Sequence, residues 1–169
     1  MTEDMKMDTV VALLRDQPDP INVLYAASLM GLTKGLWKVS GAGSAGVTRA
    51  FGEDIWHLIK IGSTMLKVDQ DISSPQKAME FYDSYLIGRF NVADSMDYDV
   101  TDNSIEITVK NCRAHHYTDY LEENDVPRSV GCPLALGCAA MMEEVTGDPF
   151  IVDSIDSKDG NSKIVLKKF

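Results

Sequence analysis

The sequence predicts an α+β domain in which a helical N-terminal half packs on an antiparallel sheet of about four strands formed by the C-terminal half. Two observations support this prediction. Apolar residues recur at helical spacing up to about residue 88, and beyond Arg89 they alternate with polar residues, as in half-buried strands. A chain of 169 residues suffices for one domain. We therefore expect residues 1–169 to form a single domain, with a helical half at 1–88 and a sheet-plus-helix half at 89–169.

Four helices are expected in the first half. Residues 4–16 are amphipathic and precede a proline-containing turn. Residues 21–39 are apolar on all sides, which predicts a helix buried on most sides. A long amphipathic helix is expected at 45–66, and Ser74 and Pro75 are typical of the start of a fourth helix, to about Ile87. The inner stripe of the third helix is Val47, Phe51, Ile55, Leu58, Ile59, Gly62 and Met65.

The second half predicts two hairpins and two helices. Strands are expected at 91–100 and 104–110, around a turn signal at Asp102-Asn103. A short helix is expected at 116–123, and a longer one at 133–146, which Gly147 ends. A closing hairpin pairs residues 150–156 with residues 162–168.

Composition and charge exclude several classes of protein. The chain has 26 acidic and 16 basic residues, for a net charge of -10. Such a surface repels phosphates, so we expect neither nucleic acid nor anionic lipid as a partner. No apolar stretch reaches the roughly 18 residues of a membrane span, and the N-terminus has no signal-peptide pattern. Three cysteines, an odd count, fit reduced thiols better than a disulfide framework. We therefore expect a cytoplasmic protein.

Five residues with soft or nitrogen donors cluster within 27 positions: Cys112, His115, His116, Cys132 and Cys138. Cys132 precedes Pro133 at a predicted helix start, where unpaired amide N–H groups and the helix dipole favour a thiolate. The alternative is a small side chain that fills space beneath the helix. Cys138 lies about 120° further around the helix, in an apolar stripe, and is expected in the core.

A metal site is a second interpretation of this cluster. Cys112 and His115 have the spacing of half a zinc knuckle, although no matching second half follows. Strand parity places Cys112 on the side of Glu106, if the strand stays regular that far. The two adjacent histidines are expected to point in different directions. The candidate ligands of zinc or another transition metal are Cys112, His115, His116 and Cys132.

Three elements of the second half carry a resemblance to a known family. They are the strand ending in Asn-Cys112-Arg, the Cys132-Pro-Leu segment, and the helix that ends in Gly147-Asp-Pro before a hairpin. Together they resemble the 4-vinyl reductase-like group of small-molecule-binding domains, and more weakly the L-2-amino-thiazoline-4-carboxylic acid hydrolase-like family. The resemblance covers residues 90–169. It implies a domain that is often dimeric, a hydrophobic pocket between helices and sheet, and a cysteine site at Cys112 and Cys132. A further cysteine common in the first group, just after Gly-Asp-Pro, is absent here, which counts against zinc.

Three functions remain open from the sequence. The first is a domain that binds a small, largely apolar molecule for sensing or regulation, with Tyr25, Phe51, Ile55 and Trp56 as candidate ligand contacts. The second is a cysteine-based hydrolase, or a redox or metal-binding protein, in which Cys132 and Cys112 are the catalytic residues. The third is a homodimeric scaffold that packs through an apolar helix face or through the row of small residues on the second helix, Ala27, Gly31 and Gly35.

Overall fold

The computed structural model describes residues 19–169, so the helix predicted at 4–16 lies outside the described residues. The predicted α+β class is confirmed. A helical half precedes a four-stranded antiparallel sheet, and two further helices lie between its hairpins. The elements are α1 (Pro20–Ser40), α2 (Ala45–Met65), α3 (Pro75–Asp83), β1 (Ser95–Val100), β2 (Ser104–Lys110), α4 (His115–Glu123), α5 (Pro133–Thr146), β3 (Phe150–Lys158) and β4 (Asn161–Lys168).

The sheet places the closing hairpin beside the first one. Its strand order is β1-β2-β4-β3 with antiparallel pairing throughout, and Ile107 of β2 faces both Tyr98 of β1 and Ile164 of β4. One face of the sheet is apolar and lies in the core, where it packs beneath the helices. The other face is charged, as the ion pair between Glu106 and Lys163 shows. Buried and exposed residues therefore alternate along β2, as expected for an antiparallel sheet with one face in the core and the other in solvent.

Three helices begin at an N-cap residue followed by proline; the sequence predicts the caps at Ser74 and Cys132 but not the one at Asp19. The Asp19 side chain accepts a hydrogen bond from the Ile21 amide, and the Ser74 hydroxyl accepts one from the Lys77 amide. A proline follows each of these caps at the first helical position, as it also does at the start of α5. Gly147 ends α5 in the left-handed conformation (φ 77°). Local sequence therefore determines the ends of α5, and the bounds predicted for it are confirmed.

Helix α2 packs closely on α5 through two glycines. A Cβ placed on Gly52 would lie 2.6 Å from the Leu136 carbonyl oxygen, and one placed on Gly137 of α5 would lie 2.8 Å from the Ile55 side chain. This contact turns Gly52, Trp56, Ile59 and Ser63 inward. The predicted inner stripe is therefore rotated: Ile59 is buried as predicted, but three of the seven members, Val47, Leu58 and Met65, are exposed. Leu58, one of them, remains 65% exposed.

The α-helix predicted to continue to Ile87 ends at Asp83, and a π-helix follows it. Residues Ser84–Arg89 form a π-helical segment, which inserts extra chain into the turn and carries Phe90 past the end of the helix. The following strand begins at Ser95, four residues later than predicted, because the loop that leaves the π-helical segment occupies residues 91–94.

Helix α1 lies on the outside of the described fold. Of its residues only Met30 and Thr33 are buried, so the predicted burial on most sides is wrong. The helix is attached through a 2.7 Å hydrogen bond between the Thr33 and Tyr117 hydroxyls. No atom of the described chain lies within 4 Å of a Cβ placed on Gly31 or Gly35, so the close approach expected at this row is not made there. None of the helices described is both long and apolar enough to cross a bilayer.

Gly52→Ala is expected to lower the free energy of unfolding by about 1–3 kcal/mol, because the new methyl group overlaps backbone atoms of α5 that cannot move independently. Gly35→Ala is the matched control. Its methyl group meets no described atom, so helix propensity should leave stability unchanged or raise it by up to about 1 kcal/mol. Urea denaturation measures both. Equal effects of the two substitutions would contradict the glycine-dependent contact of α2 and α5.

Candidate functional site

Cys112 faces the core because β2 ends irregularly. The strand stops at Lys110, and Asn111 adopts a left-handed conformation (φ 51°) that breaks the alternation of sides. Parity therefore fails one residue before Cys112, and its predicted position on the Glu106 side is wrong. The Cys112 amide donates to the Gly160 carbonyl at 2.8 Å, which ties this end of β2 to the β3–β4 turn.

Cys132, at the start of α5, lines the same small cavity as Cys112. It occupies the N-cap of α5 in an extended conformation, and both cysteines are buried and line one small cavity between the sheet and the helix start. The cavity has a volume of about 20 Å³, which is room for one water molecule and too little for a substrate. The sequence-predicted pair is thus brought together, in a closed space.

Burial determines the chemistry of the two thiols. It raises the pKa of Cys132 to about 12, although amide N–H groups of Ala135 and Leu134 at the helix start act in the opposite direction. Burial also raises the pKa of Cys112. The expectation that the N-terminus of α5 would favour a thiolate at Cys132 is therefore wrong, because desolvation outweighs the helix dipole.

Cys138 belongs to the core, as predicted. It is fully buried, its thiol lies 3.5 Å from the Met79 sulfur, and burial raises its pKa. It does not line the cavity that Cys112 and Cys132 share. The cysteine cluster of the sequence therefore reduces to a pair.

The two histidines converge with an acidic residue. The rings of His115 and His116 lie 3.8 Å apart between centroids, so the expected divergence is wrong. Donor atoms of His115, His116 and Asp119 all lie within 4.8 Å of one another, a grouping that could hold a metal ion. Neither cysteine sulfur lies within that distance of all three. Asp119, one turn along α4, replaces the cysteines in the predicted ligand set.

Sequence reasoning missed Arg128, which is 8% exposed and organises this region. Its guanidinium donates to Asp119 and to Glu122, each at 2.5 Å, and to the Thr118 hydroxyl at 3.3 Å. The spacing of the two acids could have indicated a partner, because residues three apart share one face of a helix.

A larger opening, the apolar groove, lies on the other side of the α5 start. It has a volume of about 460 Å³ and runs between α2, the π-helical segment and α5. The residues lining it are Ile55, Leu58, Ile59, Tyr82, Tyr85, Leu86, Phe90, Val92, Ala114, Pro133 and Leu134.

Of the four predicted ligand contacts, Ile55 lines the apolar groove. The other three do not. Tyr25 is 69% exposed on α1, and Phe51 is half-buried away from the groove. Trp56 is 3% exposed in the core, where its indole N–H donates to Glu144 at 2.8 Å. The rotation of α2 toward its glycine contact accounts for the difference at Trp56.

The apolar groove continues into a more polar cavity, which we call the polar recess. Phe90, Val92, Ala114 and Pro133 line both. The recess has a volume of about 390 Å³ and lies against α1. Its polar lining residues are Asn22, Asn91, Arg113, His116 and Tyr117. The apolar groove and the polar recess therefore adjoin, and neither Cys112 nor Cys132 lines either of them.

Comparison with known proteins gives two findings. A family model described as "Putative rubredoxin C-terminal domain" matches residues 21–169. A curated protein from Methanothermobacter thermautotrophicus named "Putative rubredoxin" is 36% identical over 129 residues. That match covers 76% of this chain and 61% of the relative, so the chain spans about three fifths of the relative's length.

We expect all three thiols of the native protein to react slowly with iodoacetamide at about pH 8, because each is buried and protonated there. Unfolding in urea should raise every rate to that of a free thiol. Peptide mapping by mass spectrometry follows each cysteine separately. Rapid native labelling of Cys132 alone would contradict the closed cavity.

The raised pKa of Cys132 also predicts alkaline destabilisation. In the unfolded chain this thiol ionises near its ordinary pKa of 9.0, whereas the folded state holds the proton up to about 12. Between these values the folded state binds more protons, so the free energy of unfolding falls as pH rises. Cys132→Ala should make that fall less steep, as urea denaturation at a series of pH values would show. An unchanged slope in the variant would count against a raised pKa.

Proposed function

The chain belongs to the family "Putative rubredoxin C-terminal domain", and we propose that it acts there as a domain that binds a small, largely apolar molecule in the apolar groove. The observation that carries this proposal is the composition of the groove walls. Tyr82 and Tyr85 supply the only polar side-chain atoms among the lining residues, and the Tyr82 hydroxyl already donates to the Leu134 carbonyl at 2.9 Å.

Size and position support the same function. A volume of about 460 Å³ falls within the range of small-molecule sites, roughly 300–1,000 Å³. Leu58 and Phe90 at the rim are exposed, so a bound apolar molecule would remove their surface from water and gain about 25 cal/mol per Å². The polar recess next to the groove can receive a polar group of the same molecule.

The name of the relative implies a metal centre that this chain does not fit. An iron centre held by sulfur alone takes four thiolates in a tetrahedron. The chain has three cysteines, and one of them, Cys138, lies apart in the core beside Met79. We propose that in the relative the redox role belongs to the part that this chain does not cover, while this domain supplies the ligand site.

A single charge at the rim of the apolar groove should weaken binding there. Leu58→Glu places a carboxylate among apolar walls and is expected to weaken binding of the neutral fluorophore N-phenyl-1-naphthylamine by about tenfold or more, equivalent to about 1.4 kcal/mol. Fluorescence titration measures the affinity, and native mass spectrometry of the purified protein shows any retained compound.

Val47→Glu is the matched control, since Val47 is another exposed apolar residue of α2 and lies outside the groove. It should leave fluorophore binding unchanged. Loss of binding in both variants, or in neither, would overturn the proposed site. Circular dichroism of each variant confirms that α2 is still folded.

A further inference from the structure

We infer that His115, His116 and Asp119 form a site for one divalent transition metal ion, such as Zn²⁺, Ni²⁺ or Co²⁺. The donors of His115 and His116 come from the first turn of α4 and that of Asp119 from the next, and all three lie within 4.8 Å of one another. Metal–ligand bonds of about 2.0–2.2 Å place two donors of one ion at most about 4 Å apart, so small side-chain rotations complete the geometry. Two imidazoles and a carboxylate suit these borderline metals better than they suit Mg²⁺ or Ca²⁺.

Two of the three side chains, His115 and Asp119, make hydrogen bonds of the kind that orients metal ligands. His115 Nδ1 lies 2.6 Å from the Cys112 carbonyl oxygen. A carbonyl can only accept, so Nδ1 of the neutral ring carries the proton and Nε2 keeps the lone pair for a metal. This arrangement, in which one ring nitrogen donates to a backbone carbonyl, is typical of metal-binding histidines.

Asp119 is oriented in a similar way. Arg128 donates to its Oδ1 at 2.5 Å, and no hydrogen bond of the described residues occupies Oδ2. Glu122 takes the second arm of the same guanidinium, so the two carboxylates and Arg128 carry a net formal charge of −1. The positive charge of Arg128 is therefore offset before a cation arrives, and the carboxylate is held in place.

Three protein ligands leave coordination positions open. His116 also lines the polar recess, so a metal bound here would be reached from that side. A site with three protein ligands and an accessible position binds water or an external donor as its next ligand. This site is separate from a thiolate centre, because neither Cys112 nor Cys132 belongs to the donor group.

The test uses the metal alone, added to untagged protein that has been treated with a chelator. Isothermal titration with Zn²⁺ should give one equivalent bound, and both His115→Ala and His115→Gln should weaken binding by about tenfold or more. His57→Ala is the matched control, because His57 is an exposed histidine on α2. Cys112→Ser tests whether sulfur takes part, and both substitutions should leave the affinity unchanged.

Co²⁺ provides a second readout, since its absorption spectrum distinguishes thiolate ligands from nitrogen and oxygen ligands. We expect a spectrum without a thiolate charge-transfer band. Three results would overturn the inference: no stoichiometric binding, equal loss of affinity in the His57 and His115 variants, or a charge-transfer band that Cys112→Ser removes. Thermal melting of each variant without metal confirms that the His115 variants fold.

Discussion

The close contact of α2 with α5 is the constraint on which the rest of the structure depends. Gly52 lies against the Leu136 backbone, so a larger side chain there would displace a helix, and Gly137 lies against the side chains of Ile55 and Tyr82, which a larger residue would push aside. The contact decides which face of α2 enters the core. It leaves Leu58 at the surface, and Leu58 then forms part of one wall of the apolar groove. A packing requirement between helices thus shapes the proposed ligand site.

Two environments lie side by side at the junction of β2, α4 and α5. Cys112 and Cys132 occupy a closed space in which desolvation keeps both thiols protonated. A few residues away, His115 and Asp119 are oriented by hydrogen bonds and are only half-buried. Desolvation therefore separates the two buried thiols from side chains of α4 that are partly open to solvent.

The sequence alone predicts those features that neighbouring residues determine, such as helix ends and hairpins. The bounds of α5 follow from Pro133 and Gly147, and the closing hairpin follows from alternation around a turn. Long-range contacts explain the failures. No local feature of the sequence indicates that Asn111 breaks the alternation of sides along β2. None indicates that Gly52, rather than one of its neighbours, faces α5. The spacing of Asp119 and Glu122 on α4 could indicate a cationic partner, but not that this partner is Arg128, which lies outside that helix.

The position of Phe90 at the rim of the apolar groove depends on the π-helical geometry of the segment Ser84–Arg89. A π-helical turn holds about one residue more than an α-helical turn, and one residue corresponds to about 100° of rotation. Conversion of this segment to α-helix would swing Phe90 around the helix axis by that angle and take it out of contact with Tyr85, whose ring centre lies 4.9 Å away. Such a change is a discrete step, so deletion of a single residue here would move one side of the groove rim as a unit.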